Sequence, residues 1–375
     1  MRLRPGLLIL ALFAAEILAQ APAGPPETRR DNVREVIHGV EIVDPYRWLE
    51  DQESPETRAW IEAQNAYAHA HLDRLPWRPA IAERLAELMK IDRVSLPIER
   101  QGRYFLWKKR AEDDLWILYL RRGDTAFYAY QSYTAPRTVY RYDVAEGSSS
   151  VWARDAVPFD GAGFDTRQVW YRSKDGTRVP MFLVHRRGLP PNGRQPTLLY
   201  GYGGFNVSLT PRFRALSALW VERGGLYAVA NLRGGGEFGE AWHRAGMLEN
   251  KQNVFDDFIA AAEWLIDNEY TTPARLAIAY SPYHRVKAGT KYPAVLLTSG
   301  DFDTRVPPLQ ARKMTALLQS STAAERPILL LYDTRAGHSG GKPFRKVVED
   351  LSLEAAFLFW QLGVVTPEPA PPESP

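Results

Sequence analysis

The chain has 375 residues, 24% of them charged and 45% hydrophobic, an ordinary globular balance that excludes wholesale disorder. At about 150 residues per domain the length allows two or three domains. The 47 basic and 44 acidic residues leave a net charge of +3 with no Lys/Arg run longer than three, which argues against nucleic acid as a main partner; the absence of cysteine removes disulfides, a thiol nucleophile and cysteine-ligated metal sites.

The chain opens with Arg2 and Arg4, an apolar run over 6–15, and small residues at Ala19 and Ala21. Residues 1–26 therefore read as a signal peptide and spacer, because a spanning helix needs about 20 apolar residues. A secreted or periplasmic protein, free of the membrane once the signal is removed, is expected. Residues 30–90 read as helical. Ser54 is placed to cap a helix with Pro55 and Glu56 in its first turn, and Trp60, Ala63, Gln64 and Tyr67 then share a face. A second helix is expected over 79–90, with Ile81, Leu85 and Leu88 on one side.

Residues 91–175 change texture. Short β-type runs at 104–107, 115–120, 126–130, 138–142 and 168–171 alternate with turns. At about 40–45 residues per blade this is material for roughly two propeller blades, and closure needs about four, so a remnant without closure is expected. From 176 to 365 the pattern is α/β. Strands fall at 181–185, 197–200, 226–231, 275–279, 294–298 and 328–332, and helices at 213–223, 255–268, 308–320 and 343–362. Their alternation predicts a doubly wound, mostly parallel sheet. The Pro/Glu-rich residues 366–375 read as a disordered tail.

In such a sheet, functional side chains sit on loops leaving the carboxyl ends of strands. The strand at 294–298 is followed by Ser299-Gly-Asp-Phe-Asp-Thr-Arg-Val-Pro307, and the strand at 328–332 by Asp333-Thr-Arg-Ala-Gly-His-Ser-Gly-Gly-Lys342. An acid followed in order by a histidine is half of an α/β-hydrolase triad. The acid orients the imidazole, and the imidazole shuttles the proton of a serine. A histidine standing alone would read as an ordinary surface residue; the matching acid loop is what makes His338 a site candidate.

These stretches resemble the prolyl oligopeptidase family of serine peptidases. The resemblance runs through Asp44-Pro-Tyr-Arg-Trp-Leu-Glu-Asp51, Leu199-Tyr-Gly-Tyr-Gly-Gly-Phe-Asn206, Ala230-Asn-Leu-Arg-Gly-Gly-Gly-Glu-Phe-Gly239 and Asn250-Lys-Gln-Asn-Val-Phe-Asp-Asp-Phe258. It continues through 301–308 and Ala336-Gly-His-Ser-Gly-Gly-Lys-Pro343. It implies an α/β-hydrolase-like doubly wound sheet, preceded by a helical N-terminal segment and a β-propeller remnant. It also implies post-proline cleavage of peptides without metal or cofactor. By motif, Asp303 resembles the triad acid, His338 the base, Tyr202 the oxyanion donor, Phe205 part of the proline-side pocket, and Arg305 the cation that grips a substrate carbonyl. Packing under a Gly-rich turn is the plain alternative for Phe205, and a loop ion pair for Arg305.

The family's nucleophile elbow, Gly-Gly-Ser-Asn-Gly-Gly, is missing. The strand ending at Ala279 runs straight into Tyr280-Ser-Pro-Tyr-His-Arg-Val286, a stretch that the family carries much later. Most of the propeller is missing likewise between Leu120 and Phe127. Ser339, within a Gly-x-Ser-x-Gly pattern, is rejected as a nucleophile, because it adjoins its only base and lacks a tight strand-to-helix turn. Ser281 is rejected because Pro282 removes the neighbouring N–H. Residues 279–293 offer no helical periodicity, so one sheet face should stay uncovered and favour self-association. Three functions follow in order: a secreted peptidase by ancestry without its nucleophile, acting on proline-containing peptides if at all; a non-catalytic binding or decaying paralogue, or a mis-assembled gene; and an esterase-like hydrolase with a relocated serine.

Overall fold

In a computed structural model of the chain, the described residues are 24–31, 33–37, 40–112, 117–122, 126–143, 146–278, 286–337 and 342–364. The leader at 1–23 and the tail at 365–375 lie outside them. Among the described residues no helix is long and apolar enough to cross a membrane.

The N-terminal part is not wholly helical. β1 (Val33–Ile37) and β2 (Val40–Asp44) form an antiparallel hairpin, where the sequence had been read as helix. Val33, Val36, Ile42 and Val43 are β-branched and favour strand. α1 (Pro55–Leu72) begins as expected, with the Thr57 N–H donating to Ser54 Oγ at 3.2 Å. Its buried face carries Trp60, Ile61, Gln64, Ala68 and Leu72, while Ala63 faces solvent. α2 (Arg78–Met89) buries Ile81, Leu85 and Leu88.

Two small antiparallel sheets follow. One contains β3 (Arg93–Val94), β4 (Ile98–Arg100), β5 (Arg103–Lys109) and β6 (Ile117–Arg122); the other contains β7 (Ala126–Tyr130), β8 (Thr138–Asp143) and β9 (Ser148–Arg154). Phe127 joins them, meeting Tyr104 at 5.5 Å and Trp152 at 5.2 Å between ring centroids. The described strands do not close a propeller.

β10 (Phe164–Arg172) departs from the hairpin reading of 168–171. It pairs along its whole length with β11 (Arg178–Arg186) and so belongs to the α/β sheet. Val169 and Tyr171 face the core, and Trp170 and Arg172 face solvent. After β12 (Thr197–Gly201) come α3 (Ala215–Glu222), β13 (Leu226–Ala230), the short α4 (Glu240–Arg244), α5 (Gln252–Asp267) and β14 (Leu276–Ile278). The strand order is β10-β11-β13-β12-β14, with β13, β12 and β14 parallel. The chain ends with β15 (Val295–Phe302), α6 (Leu309–Ser321), β16 (Ile328–Gly337) and α7 (Phe344–Leu362). β15 and β16 form their own parallel pair.

Three layers result. α2, α3 and α7 cover one face of both sheets, packing Trp220, Leu353 and Phe359 against Val184, Val229 and Leu329, with Ala277 of β14 and Leu296 of β15 against the same cluster. On the opposite face α5 covers the five-stranded sheet through Phe258, Ala261 and Leu265. α1 and α6 cover the two-stranded one through Ile61 and Ala316. Between them, among the described residues, Ile278 is 57% exposed and residues 286–294 contain no helix.

β15 and β16 run four or five residues beyond their apolar cores. A Cβ on Gly300 would lie 2.4 Å from the Ala336 carbonyl oxygen, and one on Gly337 would lie 2.5 Å from that of Phe302. Only glycine permits this approach, and it continues the ladder where hydrophobic patterning has stopped. Gly337→Ala is therefore expected to destabilise the chain by about 1–3 kcal/mol in urea unfolding, the range of overpacking, whereas Thr298→Ala, at an exposed site on β15, should stay within about 0.5 kcal/mol.

Candidate active site

Each candidate side chain follows the carboxyl end of a parallel strand. β12 ends at Gly201, and the turn Tyr202-Gly-Gly-Phe-Asn206 leaves it. Gly203 has φ +56°, and a Cβ there would meet Val254 Cγ1 at 2.4 Å. Phe205 and Asn206 also have positive φ, 52° and 56°. Non-glycine residues rarely adopt that conformation without support. Support comes from the Asn206 N–H donating to the Gly234 carbonyl at 3.2 Å and the Val207 N–H donating to that of Gly204 at 3.0 Å. The turn presents Tyr202, 43% exposed, and Phe205, 86% exposed, as neighbouring rings with centroids 6.4 Å apart. Lys251, at the start of α5, donates from Nζ to the Gly203 carbonyl at 2.8 Å. Burial lowers the affinity of this ammonium for its proton.

The turn rests on the glycine-rich loop after β13, which Arg233 fixes. Arg233 is 4% exposed and Asp257 fully buried. The guanidinium donates to Asp257 Oδ1 at 2.6 Å from Nη2, and the Arg233 N–H donates to Asp257 Oδ2 at 3.0 Å. Nη1 reaches Asp175, and Nη2 donates to Ser173 Oγ at 3.2 Å. Burial works against the guanidinium's charge, but the two carboxylates outweigh it and hold Arg233 above its ordinary value. Glu237 Oε1 accepts from the Leu209 N–H at 2.9 Å and Asn231 Nδ2 at 3.0 Å, which closes the loop.

β15 delivers Asp303. Its N–H donates to the Gly300 carbonyl at 3.1 Å, and its Oδ1 accepts the N–H groups of Arg305 at 3.0 Å and Val306 at 2.9 Å. The carboxylate plane is thus set by its own turn, on which Arg305 stands exposed. The root of that turn is anchored from the N-terminal part. Asp301 pairs with Arg58, and Gln52 Nε2 donates to the Asp301 carbonyl at 3.4 Å. Arg312, 1% exposed, joins Leu49 to Tyr332, donating to the Leu49 carbonyl at 2.9 Å and to the Tyr332 hydroxyl at 2.6 Å.

β16 ends at Gly337, the register partner of Phe302, so the acid turn and the segment carrying His338 leave adjacent ladder positions. His338 and Ser339 lie outside the described residues, as does Ser281. Where the description resumes, Lys342 Nζ donates to Asp350 Oδ2 at 2.6 Å and stands 3.2 Å from Asp333 Oδ2. With β16 reaching Gly337 and α7 starting at Phe344, the segment between them is shorter than the apolar pattern implied. The structure thus joins Tyr202 to Phe205 on one turn and Asp303 to Arg305 on another. The motifs quoted from the sequence contain Lys251, Arg233 and Asp257 but assign them no role; the available signal was an Asp on the buried face of α5 and a Lys at its start. Among the described residues no group of three or more His, Asp or Glu is arranged to hold a metal ion.

The architecture is an α/β-hydrolase-like domain with propeller-type sheets earlier in the chain. Residues 25–125 match the N-terminal beta-propeller domain of prolyl oligopeptidase, and residues 211–279 and, separately, 277–365 match the prolyl oligopeptidase family. The chain belongs to the prolyl oligopeptidase family. It is 34% identical over 301 residues to the prolyl endopeptidase of Elizabethkingia meningoseptica, covering 64% of this chain and 43% of that one. It is 31% identical over 332 residues to a prolyl oligopeptidase of Omphalotus olearius, covering 70% and 43%. The chain thus spans less than half the length of these curated relatives. Among solved structures, one of two prolyl endopeptidases studied for inter-domain dynamics superposes with a TM-score of 0.86 at 24% identity, covering 91% of this chain and 100% of that one. Prolyl oligopeptidase B of Galerina marginata, bound to a 25mer macrocyclization substrate, gives 0.84 at 17% identity, covering 92% and 100%. These two likenesses establish the fold.

Arg233→Ala leaves Asp257 buried without its cation. A loss of about 3–5 kcal/mol is expected in urea unfolding, with the joint replacement of Arg233 and Asp257 by apolar residues recovering most of it. Asp175 also depends on Arg233, whose hydrogen bond holds its carboxyl at about 2. Its folded value lies below its unfolded one, so its contribution is complete above the unfolded value and is lost as pH falls through about 2. In a pH titration of stability, Arg233→Ala should flatten that acid limb.

Proposed function

We propose that this chain is a post-proline serine peptidase by descent that lacks its nucleophile, and that it binds proline-containing peptides without cleaving them. The observation that carries the reading is a coincidence of two breaks. The family match stops at 279 and restarts at 277, and among the described residues β14, ending at Ile278, pairs with no later strand. Sequence comparison adds support. The 301 residues aligned with the Elizabethkingia meningoseptica relative take up only 64% of this chain's 375, so that relative carries residues inside the aligned stretch that this chain does not.

The roles follow from position. Asp303, its Oδ1 locked by two backbone amides, would orient the His338 imidazole. Tyr202 would donate to an oxyanion, Phe205 would offer its exposed ring to a proline side chain, and Arg305 would hold a substrate carbonyl. An imidazole without a serine to deprotonate has no acyl group to transfer, and the oxyanion donor belonging to the residue after the nucleophile is lost with it. Secretion or periplasmic export through residues 1–26 belongs to the same proposal, as does self-association through the sheet face at Ile278.

The test is turnover of a prolyl amide substrate by purified chain without residues 1–26. Removing a triad nucleophile leaves at most about 10³–10⁴ over the uncatalysed rate, and here an oxyanion donor goes too. Equal, near-background rates are expected for the parent, Ser281→Ala and Ser339→Ala. Turnover well above background that disappears in one variant would identify a relocated nucleophile and overturn the proposal.

A further inference from the structure

A cavity of about 530 Å³, lined by none of the candidate site residues, lies between α1, the segment 322–328 and the end of α7. Its apolar walls include the rings of Tyr67 and Trp360, with His71 between them: the Tyr67 and His71 centroids are 4.6 Å apart, those of His71 and Trp360 5.8 Å. His71 is 8% exposed, and its Nδ1 is engaged with the Tyr67 carbonyl at 3.0 Å. Arg74 and Arg326 are exposed on the lining. Among the described residues Arg74 forms no ion pair, and Arg326 donates only to the neutral Gln361 Oε1, at 3.3 Å. Glu325 is the acid of the lining. Gly24 and Pro25 of the chain itself already form part of one wall.

The described chain ends beside this cavity. α7 stops at Leu362, Gly363 takes φ +63°, and the Val364 N–H donates to the Phe359 carbonyl at 2.9 Å. The sequence then continues for eleven residues, 365–375, containing Pro367, Pro369, Pro371, Pro372 and Pro375 with Glu368 and Glu373 and no basic residue. Such a composition favours the polyproline II conformation, which extends about 3.1 Å per residue, so ten residues reach about 30 Å. Trp360 lies two residues before the end of α7, about 3 Å of helix. Proline-rich segments bind grooves lined by aromatic rings because the extended helix is ordered at little entropic cost, and tethering raises the effective concentration to the millimolar range.

We propose that this cavity is the docking site of the chain's own acidic, proline-rich segment 366–375, with prolines against Tyr67 and Trp360 and a glutamate toward Arg74 and Arg326.

The absence of cysteine makes the test simple. Ser374→Cys in the otherwise unaltered chain provides a single thiol for a bimane fluorophore, whose emission is quenched on contact with tryptophan. The labelled chain should be quenched, and the quenching should be unchanged on dilution. It should be lost with Trp360→Phe. It should be lost equally with Arg74→Glu and Arg326→Glu combined, which alter exposed side chains and leave the fold intact by circular dichroism. Emission that is unquenched in the labelled parent, or unchanged by either variant, would overturn the proposal. Quenching that appears only at high protein concentration would also overturn it, assigning the cavity to the tail of a second copy.

Discussion

One apolar layer holds together two sheets that share no backbone hydrogen bond among the described residues. α2, α3 and α7 press Trp220, Leu353 and Phe359 onto strands of both sheets. Trp220 is fully buried, meets Phe359 at 5.5 Å between centroids, and donates from Nε1 to the Leu226 carbonyl at 2.9 Å. A fully buried side chain of this kind contributes about 1.5–3 kcal/mol. Side-chain packing on this face therefore does what a continuous ladder does in an uninterrupted sheet.

The opposite face is divided, and each half is secured separately. α5 closes over the five-stranded sheet and carries Lys251 and Asp257, which fix the turns bearing Tyr202 and the glycine-rich loop. α1 and α6 close over β15 and β16. There Asn65 acts as a short substitute strand: its Oδ1 accepts the Tyr332 N–H at 2.8 Å, and its Nδ2 donates to the Tyr332 carbonyl at 2.9 Å. A reciprocal amide pair between Gln64 and Gln319, at 2.9 Å each way, locks α1 to α6. The acid turn keeps its geometry because the N-terminal part grips β15 through Arg58. A scaffold built this way holds the geometry of the two turns independently of each other.

Much of this was legible in the sequence. Ser54 announced α1, the 3.6-residue spacing of Ile81, Leu85 and Leu88 announced α2, and the order of acid and histidine loops announced the hydrolase half. Three things were hidden for physical reasons. The β1–β2 hairpin has strands of only five residues, too short for their pattern to stand out beside the two helices that follow. The strand β10 alternates like any exposed hairpin, and only its nine-residue ladder with β11 assigns it to the main sheet. The extension of β15 and β16 rests on the close approach of Gly300 and Gly337, which hydrophobic patterning does not record. At the site, Asp303, Arg305, Tyr202 and Phe205 were named from motifs. The groups that fix the turn of Tyr202 and Phe205 and the loop beneath it, Lys251, Arg233 and Asp257, were given no role, because their partners are backbone atoms and residues distant in sequence.

Whether a serine is activated anywhere in this chain decides between a silent scaffold and a working hydrolase. Fluorophosphonates phosphonylate a serine only when a neighbouring base draws off its proton, so they report activation independently of any substrate. Full-length chain incubated with excess probe and weighed intact by mass spectrometry should keep its unmodified mass. A shift by one probe, removed by boiling before labelling and by either Ser281→Ala or Ser339→Ala, would contradict the loss of the nucleophile.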